Sequence, residues 1–269
     1  WTEVMIMNMK TATTAGVMAW GFLGATVMAA SPVLRDLEAD RPDATESPVT
    51  VDAGHFQLET SFLAWGRDRS DGVRSEWWSF AETNLKYGLN ECMDLQLVVS
   101  PWVIEREKDN GTTEVDGVGD VELRLKWNLW GNDGGETALA LMPYVKIPTG
   151  SDVSNDHWEG GLIVPLAWRA ADTWSVSVQV EGAAVYDEDE GNTDFEFSHT
   201  AVLGVDLSER AGCYIEYLGV AGDHDYEAYA SGGVTWALSD FRQLDLGVVA
   251  GINDAAEDLS VFSGLTVKF

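Results

Sequence analysis

The chain has 269 residues and carries 16 Lys+Arg against 45 Asp+Glu, a formal net charge of −29. A surface this acidic repels a phosphate backbone, which excludes nucleic-acid binding as a main role. With 45% hydrophobic residues, 7 Pro and 2 Cys, the composition also excludes general disorder, a disulfide scaffold and a zinc cluster.

Residues 1–30 read as a secretory signal peptide. Lys10 precedes an uncharged apolar run from Ala15 to Ala30 that ends in small residues. The run is short for a spanning helix, which needs about 20 residues. Met5, Met7 or Met9 is read as the initiating residue. Residues 31–53 form an N-terminal periplasmic or lumenal segment, polar and with Pro42 and Pro48. Two arrangements are open for it: a mobile end in the periplasm, or a partial plug in which Asp40, Arg41 and Asp43 enter the lumen and Arg41 meets carboxylates such as Glu59 or Glu82.

From Gly54 to Phe269 the pattern has period two, as in Val121-Glu-Leu123-Arg-Leu125-Lys-Trp127 and Trp174-Ser-Val176-Ser-Val178-Gln-Val180. Strict alternation is the signature of a strand with one apolar and one polar face. Turn residues divide the run into about twelve strands, with cores at 54–66, 75–87, 93–106, 119–130, 136–148, 157–170, 173–186, 194–208, 211–222, 226–238, 242–252 and 258–269. Short turns are expected at 88–92, 131–135, 171–172, 208–210 and 239–241. Longer acidic loops are expected at 67–74, 107–118, 149–156, 187–193 and 253–257, with a short exception at 223–225.

This is the pattern of an all-β, antiparallel transmembrane barrel with short periplasmic turns and longer outer loops. Three features favour lipid over a soluble core. The strands are about 11–14 residues long, against five or six in soluble sheets. The polar parity carries mid-strand charges, which a water-filled lumen accepts. Aromatic residues (Trp127, Trp130, Trp168, Trp174, Trp236, Tyr87, Tyr217) gather near strand ends, where girdles sit. The last strand, Leu259 to Phe269, ends in an aromatic residue, as do strands read by the barrel-assembly machinery of the bacterial outer membrane. Outer-membrane lipid and lipopolysaccharide are the expected surroundings. Cys92 and Cys213 fall on distant strands and are expected to be unbridged, since a disulfide needs Cα atoms within about 7 Å.

The stretches Asp40-Arg-Pro-Asp43, Ser47-Pro48, Gly54-His-Phe-Gln57-Leu-Glu59, Gly117-Val-Gly119-Asp120 and Pro143-Tyr-Val-Lys-Ile-Pro-Thr-Gly150 occur in this order. In this the chain resembles the transporter-like family of outer-membrane proteins named for the meta-pathway of phenol degradation. The resemblance spans about Asp40 to Phe269. It implies an outer-membrane barrel that passes small, often aromatic, compounds.

By parity the lumen holds Glu59, Glu82, Glu122, Arg124, Lys126, Lys146, Glu181, Glu196 and Asp245, the expected selectivity residues. Carboxylate rings favour cations, which points to neutral, cationic or aromatic solutes and away from acidic sugars. Trp65, Trp102 and Tyr144 are expected to face inward, either as stacking surfaces or as filling. No cofactor, metal site or catalytic residue is expected. His199 lacks a neighbouring nucleophile and orienter, and Asp223-His224-Asp225 reads as a turn. The acidic runs Glu105–Asn110 and Asp187–Asn192 read as solvated loops without calcium-loop order. The expected role is passive passage of small solutes. The alternatives are a non-conducting structural or surface-binding barrel and, more remotely, an outer-membrane hydrolase.

Overall fold

The computed structural model describes residues 34–70, 72–187, 191–223 and 225–269, so the signal-peptide expectation lies outside the described residues. The strands are β1 (Phe56–Ser70), β2 (Val73–Phe80), β3 (Thr83–Asn90), β4 (Met93–Val99), β5 (Trp102–Lys108), β6 (Thr112–Gly117), β7 (Val121–Trp130) and β8 (Thr137–Ile147). They continue with β9 (Glu159–Ala171), β10 (Trp174–Asp187), β11 (Asn192–Asp206), β12 (Ala211–Ala221), β13 (Glu227–Ser239), β14 (Arg242–Gly251) and β15 (Leu259–Lys268). All are antiparallel in one 15-stranded sheet, and β15 pairs with β1 to close it.

Three staves of the wall are each built of two strands. The upper half of β1 pairs with β2 and the lower half with β3; β5 continues β4, and β6 continues β7. The wall therefore has twelve staves, the number expected from the alternation.

Burial is inverted relative to a soluble protein. Leu95, Leu97, Val178, Val180, Leu246 and Val248 are exposed, while Asp94 and Gln96 are fully buried and Gln179 is 5% exposed. A sandwich would bury the valines and leucines and hydrate the acids. An apolar outer band with a polar interior is the arrangement of a transmembrane barrel. Exposed Trp127, Trp130, Trp168, Trp174 and Trp236 lie toward one end of that band.

The expected loops at 67–74 and 107–118 are corrected. Here β1 runs out to Ser70 and β2 returns from Val73, and β5 and β6 run out to a turn at 109–111. Glu76 lies opposite Arg67 and Arg106, and Glu114 opposite Arg106, while Asp68, Glu107 and Asp116 also take ladder positions, so charge that reads as loop is held in strands. True long loops at this end are 148–158 and 252–258, and the turn at 131–136 lies at the opposite end.

The inward orientation of Trp65 and Trp102 is also corrected. A bulge between Ser61 and Leu63 shifts the register, so Phe62 and Leu63 are both exposed and the inward parity of β1 changes from odd to even. One extra residue reverses every side chain beyond it. Trp65 then lies opposite the outward Val261, and Trp102, 50% exposed, stacks beside Phe80. The neighbouring staves change parity at the same level: at Ala81-Glu82, where Ala81 has φ 57°, at Ser100-Pro101, and at residues 118–120. Four adjacent staves share this seam. Ser61 N–H donates to Glu82 O, and Gly119 N–H to Ser100 O, across it.

Candidate functional site: the barrel lumen and residues 34–55

Residues 34–55 enter and leave the barrel at the end where Phe269 N–H bonds Phe56 O. Arg35 Nε lies 2.9 Å from Asp52, and Lys268 Nζ 2.6 Å from the same carboxylate, so the two legs are tied together at the entrance. On the way in, Asp40 meets Lys86 and Lys126, the latter at 2.8 Å, and its N–H donates to Glu59. Lys86 also pairs with Glu59. Arg41 follows, with Nη2 2.8 Å from Asp245 and Nη1 2.7 Å from Ser61 Oγ.

The tip rests against the far wall. Ala44 and Thr45 N–H both donate to Glu216, Thr45 Oγ1 bonds Thr200 Oγ1, and Glu46 N–H donates to Gln179. On the return, Asn128 donates to Pro48 O, Val51 N–H to Asp94, and Thr50 N–H to Asn132. The segment has little regular structure, so its backbone donors are satisfied by lumen side chains instead of a ladder. Two glycines open the space for it. A Cβ at Gly88 would strike the Asp52 carbonyl, and one at Gly264 would strike the Arg41 guanidinium.

Charge is arranged in opposed sets. Burial opposes ionisation of Asp40, but the adjacent Lys126 and Lys86 ammonium groups outweigh it and hold the carboxyl well below its ordinary range. Burial and the Asp40 charge instead push Glu46 up to about 8 against the pull of Arg124 and Lys126. Glu46 Oε1 lies 2.5 Å from Arg124 Nη1. We assign the protonated form at neutral pH, because burial is the largest influence on this carboxyl. Burial and Glu216 also raise Asp43.

Between the tip and the outer loops lies a cavity of about 160 Å³. Its floor includes Asp43, Ala44 and Glu46, and its wall includes Glu82, Glu105, Glu122, Arg124, Lys146 and Glu181. Val98, Val103, Val153, Ile163 and Leu218 add apolar side chains to the lining, on staves interspersed with the charged ones. Val153 belongs to loop 148–158, which folds onto the wall through Ser151 Oγ to Val118 O and Ser154 Oγ to Asp120. Loop 252–258 also turns inward: Ala256 packs with Leu218, Val220 and Tyr229, and Glu257 accepts from Trp77 Nε1.

The nine charged residues expected in the lumen sit on the inward face, unlike Trp65 and Trp102. Glu59, Glu122, Lys126, Lys146 and Asp245 are buried; Glu82, Arg124 and Glu181 line the cavity; Glu196 lies opposite the buried Ala183. Several are paired rather than open: Glu122 with Arg124, Lys146 with Glu159, Asp245 with Arg41. Arg41 thus pairs with Asp245, not with Glu59 or Glu82. Parity identifies which side chains face inward but not which stave lies opposite, so it gives no sign that Lys86, Asp94, Asn128 and Glu216 seat the segment. Tyr144 does face inward and donates to Glu181 at 2.6 Å. His199 faces outward beside Phe197, Tyr217 and Tyr226, whereas the adjacent Ser198 is buried inward, so the two do not meet. Cys92 and Cys213 are free. Asp223-His224-Asp225 and the 187–192 run lie partly outside the described residues.

Residues 39–269 match the family described as "Putative MetA-pathway of phenol degradation", and the chain belongs to that family. The fold is similar to that of an outer membrane channel from Pseudomonas putida F1, with 13% identity, 86% of this chain and 100% of that one covered, and a TM-score of 0.64. It is also similar to the NanC porin (8% identity, 80% and 100% covered, TM-score 0.52) and to the β domain of the Bordetella autotransporter BrkA (14%, 81% and 100%, TM-score 0.52). At these identities the likeness concerns the fold. No curated protein matches the sequence significantly.

Proposed function

We propose that the protein is an outer-membrane channel for small neutral, cationic or aromatic solutes, with residues 34–55 as a seated plug. The observation that carries this reading is the cavity of about 160 Å³ between the plug tip and the outer loops. Dry cavities of about 150 Å³ accept a benzene-sized guest. Here apolar side chains are interspersed with carboxylates around the wall, which suits a single ring bearing a neutral or cationic polar group. The outer membrane channel from Pseudomonas putida F1 shares the architecture, and family membership agrees with a transport role.

The fastening of the plug supports passage rather than mere filling. It is held by ion pairs and hydrogen bonds to polar walls, contacts that water can replace when the segment moves. An inert barrel would gain more by filling its lumen with apolar side chains. Solute descends past Tyr144 and Glu181 to the tip, and displacement of the segment opens the way to the periplasmic end. Passage needs no cofactor and no covalent step.

The test is single-channel recording of the refolded mature chain in planar bilayers, with KCl gradients. Brief cation-selective openings that become long-lived when residues 36–50 are deleted are expected. A folded barrel that stays silent with and without that segment would refute the channel reading and leave a structural barrel.

A further inference from the structure

In a chain of net charge −29, the cations are unevenly placed. Among the described residues, Arg35, Arg41, Lys86, Arg124, Lys126, Lys146 and Lys268 belong to the lumen or its entrance, and Arg169, Arg210 and Arg242 to the periplasmic rim. The rest, Arg67, Arg69, Arg74, Arg106 and Lys108, lie together on the outward face of β1, β2 and β5, at the outer end.

Cross-strand register sets this face in rows. Leu63, Phe80 and Trp102 form the lowest row, and Trp65, Trp78 and Ile104 the next. Above them come Arg67, Glu76 and Arg106, then Arg69, Arg74 and Lys108. The change from aromatic to cationic rows falls where a bilayer passes from acyl chains to headgroups. Arg106 stacks over Trp78 at 4.9 Å, which joins the two zones.

Glu76, with its side chain 7% exposed, organises the cations from beneath. It accepts from Arg74 at 2.5 Å and Lys108 at 2.8 Å, and Arg67 and Arg106 are its cross-strand neighbours. Glu114 orients Arg106, and Asp258 lies 3.9 Å from Arg67. The four cationic side chains remain 29–37% exposed. An arginine has five N–H donors and a lysine three, so the carboxylates of Glu76, Glu114 and Asp258 hold these side chains without using all their donors. Such a cluster matches a phosphate, which takes charge-assisted and bidentate bonds from Arg.

We propose that this face binds a phosphorylated lipid A headgroup of lipopolysaccharide in the outer leaflet, with its acyl chains along the Trp65, Trp78 and Trp102 rows. The contact is direct, cation to phosphate. It therefore needs no divalent ion, unlike a bridge between phosphate and an acidic loop.

The test is native mass spectrometry of the purified full-length mature barrel loaded with bisphosphorylated lipid A or its dephosphorylated counterpart, in the presence of EDTA. A retained adduct with the phosphorylated lipid only is expected. In R69Q/R74Q/K108Q it should fall by about tenfold or more, three exposed charge contacts being lost, while R169Q/R210Q/R242Q at the opposite rim keeps it. Equal retention of the dephosphorylated lipid, loss of the adduct in EDTA, or an unchanged adduct in the outer triple variant would overturn the proposal. Heat-modifiable gel mobility checks folding of the variants. If the outer triple variant does not fold, the two-lipid comparison on the unmodified chain decides.

Discussion

Arg41 and Asp245 are 204 positions apart in the chain and 2.8 Å apart in the lumen, with both side chains almost wholly buried. The guanidinium makes two bonds to the carboxylate, through Nε and Nη2, and a third to Ser61 Oγ. Removing one partner of such a pair leaves a buried charge uncompensated, at a cost of about 3–5 kcal/mol. Asp245→Asn is therefore expected to unseat the plug without unfolding the barrel. Limited proteolysis within 36–50 should quicken and channel openings lengthen, with heat-modifiable mobility retained. Unchanged cleavage would argue that the pair does not seat the segment.

The tip should respond to pH. The Glu46 carboxyl is raised from 4.5 to about 8, so the seated form binds a proton that the released form gives up. Its contribution to seating is full below about pH 4.5 and is lost as pH rises through about 8. Asp43 is raised too and acts in the same sense. Asp40 acts in the opposite sense: its depressed carboxyl supports seating above the ordinary value of 3.8 and fails only in strong acid. Conductance is therefore expected to rise between pH 5 and 9, and Glu46→Gln should flatten that rise. A fall over this interval, or an unchanged slope in the variant, would contradict the assignment.

The bulge at Ser61/Leu63 makes a prediction about lipid contact. Leu63 is outward and 40% exposed, against the odd-inward parity of the residues before it. Leu63→Arg should cost about 2–4 kcal/mol if it lies near the bilayer midplane, since Arg on the lipid face is unfavourable there. Equilibrium refolding in lipid vesicles measures this. A cost near zero would place Leu63 in the lumen and restore the simple alternation.

Cys92 immediately precedes β4 and Cys213 lies on β12, and β7 to β11 separate these two strands along the wall. Mild oxidation should leave the monomer mass unchanged, and denatured protein should take up two maleimide groups. A Cys92–Cys213 crosslink within one chain would refute the strand order.

Much of the fold is legible in the sequence because alternation is a local signal. In Trp174 to Glu181 each residue's face follows from its neighbours, and the twelve staves, the inward Glu59, Lys126 and Asp245 and the outward Val178 follow from counting by twos. The signal fails where the chain breaks step. Ser61-Phe62-Leu63, Ala81-Glu82 and Ser100-Pro101 read as continuous strand or plain turn, so simple alternation places Trp65 and Trp102 inward, whereas both face outward.

Local alternation is enough to specify the class of wall, its number of staves and, away from the seam, which side chains turn inward, since side-chain parity is set within a few residues. The level at which four staves change parity together, the partner of Arg41 and the route of residues 34–55 emerge with the closed barrel. Those depend on which staves face one another across the closed barrel. Closure brings together residues such as Arg41 and Asp245, whose separation in the chain carries no local trace of their contact.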